Sequence, residues 1–188
     1  MDFRERYHRQ FSDLPEEDRP PRTPDCAPED VLVRCGEPGE LIPVQYVLDG
    51  AMLRKPDNLH RMLGARYVLV AVRGEDEDVV GTLVRTPPDR SLDRHLLADA
   101  MKRADDPPAD PETWGQGHEP THVDAVAVKY PHRGEGIGRA LVESAVERTD
   151  GPLTVAFDDD VRPFYEALDF EIWQTRPGVR NRLVGWKE

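Results

Sequence analysis

The apolar positions of the chain recur at two alternating periods, the two-residue period of strands and the 3.6-residue period of helices. Short runs of β-branched, aromatic and other apolar residues predict strands at 31–34, 67–72, 79–85, 123–128, 153–157, 170–175 and 182–186. Apolar residues three and four positions apart predict helices at 41–53, 57–63, 92–103, 137–146 and 162–168. The order is β α α β β, an inserted helix, and then β α β α β β, which predicts an α/β chain.

Two stretches lack a sustained apolar period. Residues 1–28 mix charges with prolines and predict a mobile N-terminal arm, with one helical turn around 3–11. Residues 86–119 predict a polar insertion whose one helix lies between proline clusters. The remainder, residues 29–188, predicts a single domain interrupted by this insertion, which would cover a site or decorate an edge.

Length and charge limit the classes of partner. A chain of 188 residues suits one domain that buries roughly 70% of the surface of its unfolded form. The formal net charge of -12 repels nucleic acid phosphates and anionic lipids, so neither nucleic acid nor a membrane is an expected partner. No run of 18 apolar residues and no apolar signal-peptide core is present, which predicts a cytoplasmic protein. An acidic surface with few lysines among its basic residues predicts adaptation to high salt.

Three features of the sequence resemble metal or disulfide sites only superficially. Cys26 and Cys35 lack a further Cys or His at ligand spacing, and we expect reduced thiols. The H-E-x-x-H pattern at 118–122 needs both histidines on one helix, but Pro120 interrupts it. The acidic cluster 158–160 precedes a helix, a position that favours helix capping over metal binding. No metal is expected.

The most informative segment joins the strand at 123–128 to the helix at 137–146. Residues 129–138, which we call the glycine loop, carry glycines at 134, 136 and 138. Unpaired N–H groups at a helix N-terminus attract anions, and glycines let a pyrophosphate approach the backbone closely. Lys129, Arg133 and Arg139 add positive charge. The glycine spacing is not G-x-G-x-x-G, which argues against a dinucleotide fold.

Arg133, Gly136 and Gly138 match the acetyl-CoA motif Q/R-x-x-G-x-G/A, so the chain resembles the GNAT N-acetyltransferase superfamily. A second segment, 158–170, is similar to the family pattern N-x-x-A-x-x-F-Y-x-x-L-G-F, with Asp158, Val161 and Asp169 as departures. The resemblance covers 31–187 in element order and is close over 121–170.

The resemblance implies a fold and a reaction. The fold is a mixed, mostly antiparallel sheet of six to seven strands with about four helices, splayed between the fourth and fifth strands around the pantetheine arm. The reaction uses acetyl-CoA as co-substrate, and a primary amine of a small molecule or protein attacks the thioester directly. The implied CoA contacts are Val126, Val128, Lys129, Arg133, Gly134, Glu135, Gly136, Ile137, Gly138, Arg139, Asp158 and Phe164.

The resemblance also implies roles in proton transfer. Tyr165 occupies the position of a tyrosine that protonates the CoA sulfur in relatives, although by itself it would be a core aromatic. His122 stands where relatives often place a glutamate base, and Asp124 lies two residues further on the same strand face; both remain candidates. The absent glutamate and Asp158 leave a non-catalytic acyl-CoA-binding module as the alternative. A homodimer is compatible with either function.

Overall fold

The computed structural model describes residues 3–15, 19–86, 94–102, 120–174 and 182–187. Its helices are α1 (Phe3–Arg9), α2 (Leu41–Gly50), α3 (Leu59–Gly64), α4 (Arg94–Met101), α5 (Ile137–Glu147) and α6 (Arg162–Glu166). Its strands are β1 (Val31–Cys35), β2 (Val68–Arg73), β3 (Asp78–Thr86), β4 (Thr121–Val128), β5 (Leu153–Asp158), β6 (Glu171–Gln174) and β7 (Arg182–Lys187). Every predicted helix and strand is present, and the element order is confirmed.

The seven strands form one sheet in the order β1-β2-β3-β4-β5-β7-β6. The pairs β1/β2, β2/β3, β5/β7 and β6/β7 are antiparallel, whereas β4 and β5 are parallel. The prediction of a mixed, mostly antiparallel sheet is therefore confirmed. The β4/β5 register comprises three residue pairs, from Thr121↔Leu153 to Val123↔Val155, although both strands continue beyond it.

The chain groups into two compact units. The first unit combines Met1–Val84 with Ala125–Arg148, and the second combines Arg85–Asp124 with Thr149–Glu188. The predicted single domain over 29–188 stays a prediction. Of the predicted insertion, the structure describes α4, and the flanking ranges 87–93 and 103–119 lie outside the described residues.

The first unit packs helices on β1, β2 and β3. Buried side chains of α2 and α3, such as Leu48 and Leu63, join those of β1 and β2 in one hydrophobic cluster. Helix α5 contacts β1 and β2. It also lies close to Gly81 of β3, because a Cβ there would be 3.0 Å from Ile137 and 3.2 Å from Leu141. Glycine at 81 thus permits a close approach between helix and strand.

The N-terminal segment belongs to the first unit and makes specific contacts there. Phe3 and Tyr7 of α1 pack against the hydrophobic cluster. Arg4 donates hydrogen bonds to the carbonyl oxygens of Val31, at 2.6 Å, and Ala27, at 2.9 Å. The buried hydroxyl of Thr23 accepts a hydrogen bond from the Val33 amide at 2.9 Å. The described part of the predicted arm is therefore docked against β1. A helix and hydrogen bonds between residues 10 to 27 positions apart in the sequence hold it there.

The second unit has its own cluster. Ala100 and Met101 of α4 are buried with Val184 and Trp186 of β7, and α4 also contacts β6. Helix α6 follows β5 through a short 3-10 turn, Asp159–Val161. Within the described ranges, no helix combines the length and the hydrophobicity needed to cross a bilayer.

Candidate functional site

The glycine loop leads from β4 into α5 through two residues in the left-handed region. Gly134 has φ 81° and Gly136 has φ 87°, conformations that residues with a Cβ rarely adopt. Gly136 occupies the N-cap position of α5, and no described side chain caps this helix. The first amide N–H groups of a helix have no intrahelical acceptor, so those of α5 can donate to a ligand.

The side chain of Ile137 anchors the loop and is not itself a ligand. The Ile137 side chain is buried and packs against Gly81 of β3. A Cβ at position 81 would lie 3.0 Å from it. Any contact of Ile137 with an anion would therefore come from its backbone amide. Val126 and Val128 are half-buried on β4 and alternate with the buried residues Ala125 and Ala127.

The three predicted cations differ in their surroundings. Arg133 is exposed; its Nε donates to the Val128 carbonyl oxygen at 3.1 Å, and its guanidinium lies 5.6 Å from the centre of the Tyr130 ring. Lys129 instead forms an ion pair with Asp78 of β3, with Nζ 2.9 Å from Oδ1. Arg139 lies 3.6 Å from Glu143 in the next turn of α5. Much of the charge of Lys129 and Arg139 is thus offset by carboxylates, whereas Arg133 is held by a carbonyl and a ring.

Arg73, at the end of β2, connects the glycine loop to Asp30, the residue before β1, and was not predicted. Its guanidinium lies 2.6 Å from Glu135 and 2.6 Å from Nδ1 of His132, both in the loop, and 2.9 Å from Asp30. The hydrogen bond to Glu135 raises the pKa of the Arg73 guanidinium above its ordinary value, so the residue stays charged. In the sequence, Arg73 is simply the polar residue that ends an apolar strand.

The N-terminal segment supports the other side of Gly136. A Cβ at position 136 would overlap the carbonyl oxygen of Cys26. The Cys26 thiol donates a hydrogen bond to Glu143 of α5 at 3.2 Å. Burial, followed by this hydrogen bond and the charge of Glu143, raises the pKa of Cys26 to about 12. The thiol is therefore protonated and poorly nucleophilic.

His122 is buried in β4 and belongs to the second unit, as does Asp124. Its side chain is 3% exposed, and Nδ1 lies 3.0 Å from the hydroxyl of Thr154 on β5. That hydroxyl also lies 3.5 Å from the Thr121 carbonyl oxygen, which can only accept. If Thr154 donates to this carbonyl, Nδ1 carries the imidazole proton and Nε2 is the basic nitrogen. Asp124, by contrast, is exposed.

Tyr165 of α6 sits in a group of aromatic rings. Its ring centre lies 4.4 Å from that of Phe157, 5.0 Å from that of Phe164 and 5.3 Å from that of Phe170. The residue is 8% exposed, and burial raises the pKa of its hydroxyl well above the ordinary value. The hydroxyl is protonated near neutral pH, as that of any tyrosine is, and is a potential proton donor.

The residues that depart from the family pattern are also accommodated. Asp169 has φ 58°, a left-handed conformation that Asp tolerates better than most residues. Asp158 takes the N-cap position of the 3-10 turn, but its side chain makes no capping hydrogen bond, so the side-chain capping expected for the acidic cluster is wrong at this residue. Asp159 lies 3.9 Å from Arg162 instead.

The described residues contain no group of three or more His, Cys, Asp and Glu side chains placed to hold a metal ion. His118 and Glu119 of the H-E-x-x-H pattern lie outside the described residues. The glycine loop fits a diphosphate ligand, since it combines the exposed backbone of Gly134, an uncapped helix N-terminus and the exposed Arg133.

Comparison with known proteins supports the fold from structure alone. No protein-family model matches the sequence. No curated protein matches it at a significant level. Among solved structures, Arabidopsis thaliana Naa50 in complex with the bisubstrate analogue CoA-Ac-MVNAL matches with a TM-score of 0.55 and 16% identity, covering 85% of this chain and 99% of that one.

Two further solved structures are similar to this chain to a comparable degree. A GNAT-family acetyltransferase from Listeria monocytogenes matches with a TM-score of 0.57 and 12% identity, over 84% of this chain and 94% of that one. An agmatine N-acetyltransferase matches with a TM-score of 0.55 and 15% identity, over 84% of this chain and 99% of that one. The chain therefore has the GNAT fold.

Proposed function

We propose that this protein is an acyl-CoA-dependent N-acyltransferase that transfers an acetyl group to a primary amine by direct attack. The observation that carries the proposal is the glycine loop, where left-handed Gly134 and Gly136 lead into an uncapped helix on a GNAT fold. A diphosphate is the anion for which such a helix N-terminus is suited. Structural neighbours solved with a CoA bisubstrate analogue or with acetyl-CoA support this choice of ligand.

The loop binds the co-substrate through its backbone and one cation. The amides of the first turn of α5 donate to the diphosphate of CoA, and Gly134, beside which a Cβ would meet nothing within 4 Å, leaves room for its oxygens. Arg133, held beside the loop by the Val128 carbonyl and the Tyr130 ring, adds positive charge. Burial of Ile137 fixes the position of these amides.

The reaction requires two proton transfers. A C–N bond forms between the amine and the thioester carbonyl, the C–S bond breaks, the amine loses a proton and the sulfur gains one. Tyr165 supplies the proton to the sulfur through its phenolic O–H group, which can donate to a developing anion. His122 takes the proton from the amine through Nε2, with Thr154 at Nδ1; Asp124 is the alternative base.

The acceptor is a primary amine of a small molecule or a protein. One structural neighbour is an agmatine N-acetyltransferase, and another was solved with an analogue that joins CoA to a peptide. Both kinds of acceptor therefore belong in a screen. The net charge of -12 favours cationic acceptors, since it attracts them electrostatically.

The experiment is a CoA-release assay with acetyl-CoA and a panel of polyamines, aminoglycosides, amino acids and N-terminal peptides, with acetylated products identified by mass spectrometry. We expect CoA release and an acetylated amine with at least one acceptor, and loss of both in Tyr165→Phe. Tight acetyl-CoA binding without turnover across the panel would contradict catalysis and support a non-catalytic acyl-CoA-binding module.

A further inference from the structure

The Arg73 side chain contacts the glycine loop, in addition to the backbone pairing that holds the residue in the sheet. It ends β2 opposite Val31 of β1, and its side chain reaches two loop residues. Nη2 lies 2.6 Å from a carboxylate oxygen of Glu135, and Nη1 lies 2.6 Å from Nδ1 of His132. All of these residues belong to the first unit.

Glu135 is an unfavourable residue for an anion site. It lies between Gly134 and Gly136, so its side-chain carboxylate belongs to the segment whose backbone would bind a diphosphate. The negative charges of the carboxylate and the diphosphate repel each other unless a cation offsets one of them. Arg73 is that cation, because it forms a direct ion pair with Glu135.

The contact with His132 has a defined polarity. A guanidinium has only donors, so Nδ1 of His132 accepts, and the proton of the neutral imidazole lies on Nε2. Oε1 of Glu135 lies 3.8 Å from the same Nδ1. One guanidinium thus fixes two side chains of the loop in a single arrangement.

We propose that Arg73 is the positioning residue of the diphosphate site: it neutralises Glu135 and fixes His132, which allows the glycine loop to accept the diphosphate of CoA. This inference rests on the proposed function. It assigns to the end of β2 a role in co-substrate binding that the glycine motif itself does not contain.

Arg73 also pairs with Asp30, with Nε 2.9 Å from Oδ2, so a purely structural role must be distinguished. The two roles predict different effects of Glu135. If Arg73 acts by neutralising Glu135, removing the charge of Glu135 compensates for the loss of Arg73. If Arg73 acts only by tethering the N-terminal segment through Asp30, no change at Glu135 restores binding.

The test is calorimetric titration of acetyl-CoA at about 0.1 M KCl, where charge interactions extend about 10 Å. Arg73→Ala is expected to raise the Kd about tenfold relative to wild type. Arg73→Ala combined with Glu135→Gln is expected to return the Kd to within about threefold of wild type. Arg6→Ala, which removes an exposed ion pair with Glu75 in the same unit, is the matched control and should bind like wild type.

Glu135→Gln alone provides a second measurement that leaves Arg73 in place, in case Arg73→Ala does not fold. It should bind acetyl-CoA as tightly as wild type or up to about threefold more tightly. An unchanged Kd in folded Arg73→Ala, a loss that Glu135→Gln does not rescue, or weaker binding by Glu135→Gln alone would overturn the inference. Absence of binding by wild type would instead overturn the proposed function on which the inference rests.

Discussion

The carbonyl oxygen of Cys26 lies against the Cα of Gly136, in the space that a side chain at position 136 would occupy. Glycine is therefore required at 136 for two reasons, since its φ of 87° also disfavours any residue with a Cβ. The N-terminal segment is consequently part of the support of the glycine loop, and this close contact has a measurable consequence for stability.

Gly136→Ala should be more destabilising than Gly134→Ala. Both residues have positive φ, but a Cβ at Gly134 meets nothing within 4 Å, whereas one at Gly136 overlaps the Cys26 carbonyl. We expect a loss of about 1–2 kcal/mol for Gly134→Ala from backbone strain, and about 2–4 kcal/mol for Gly136→Ala. Urea unfolding measures both. Equal losses would show that Cys26 does not constrain position 136.

The Cys26 thiol should resist alkylation at pH 8. Burial and Glu143 raise its pKa to about 12, so the thiolate is scarce. Glu143→Gln should speed modification by iodoacetamide, because the carboxylate that disfavours the thiolate is removed. A Cys35→Ser background isolates the signal. Rapid alkylation of Cys26 in the Cys35→Ser background, or no acceleration by Glu143→Gln, would contradict the contact.

The same shift has a defined sign for stability. The pKa of Cys26 is higher in the folded chain than its ordinary value of 9.0. The unfolded chain therefore loses the thiol proton first as the pH rises. The contribution of this residue is fully present below about pH 9 and is lost as the pH approaches about 12. Cys26→Ser should flatten the decline of unfolding free energy in this window.

Tyr165→Phe should lower kcat at least about 100-fold while leaving the Kd for acetyl-CoA unchanged, since general acid catalysis typically contributes this much. A phenylalanine ring keeps the contacts with Phe157 and Phe170, so the fold should be retained. Tyr67→Phe, which changes a tyrosine packed on the core of the first unit, is the matched control. An unchanged kcat would make Tyr165 a core aromatic only.

His122→Gln should lower kcat more than Asp124→Asn does. When the Thr154 hydroxyl donates to the Thr121 carbonyl and accepts from Nδ1, Nε2 of His122 is the proton acceptor. Thr154→Val should reduce kcat by a smaller factor, because it removes only the orienting contact. The reverse order, with the larger loss of kcat in Asp124→Asn, would transfer the role of base to Asp124.

The sequence predicted those features that depend on local pattern. The spacing of Ile137 and Leu141 indicated the buried face of α5. Periodicity of this kind acts within a few residues, which is why the helices and strands were located correctly. The positive φ of Gly134 and Gly136 was not predicted.

The contacts that complete the site were beyond such local signals. Arg73 meets Glu135 across 62 positions, and Cys26 meets Glu143 across 117, so each depends on the folded sheet. The docking of α1 did leave a local signal, because Phe3 and Tyr7 lie four residues apart and pack on the same cluster. At Asp158 the local signal was misleading. Its position predicted a helix-capping side chain, but that side chain makes no capping hydrogen bond.

The central claim is that the glycine loop binds the diphosphate of an acyl-CoA, and calorimetric titration of acetyl-CoA tests it most directly. Arg133→Glu reverses an exposed charge within the glycine loop without disturbing the core. Arg61→Glu makes the same change on the exposed face of α3. We predict micromolar binding by wild type and by Arg61→Glu, and binding weakened at least about tenfold in folded Arg133→Glu. Equal binding by all three proteins, or none by wild type, would contradict the claim.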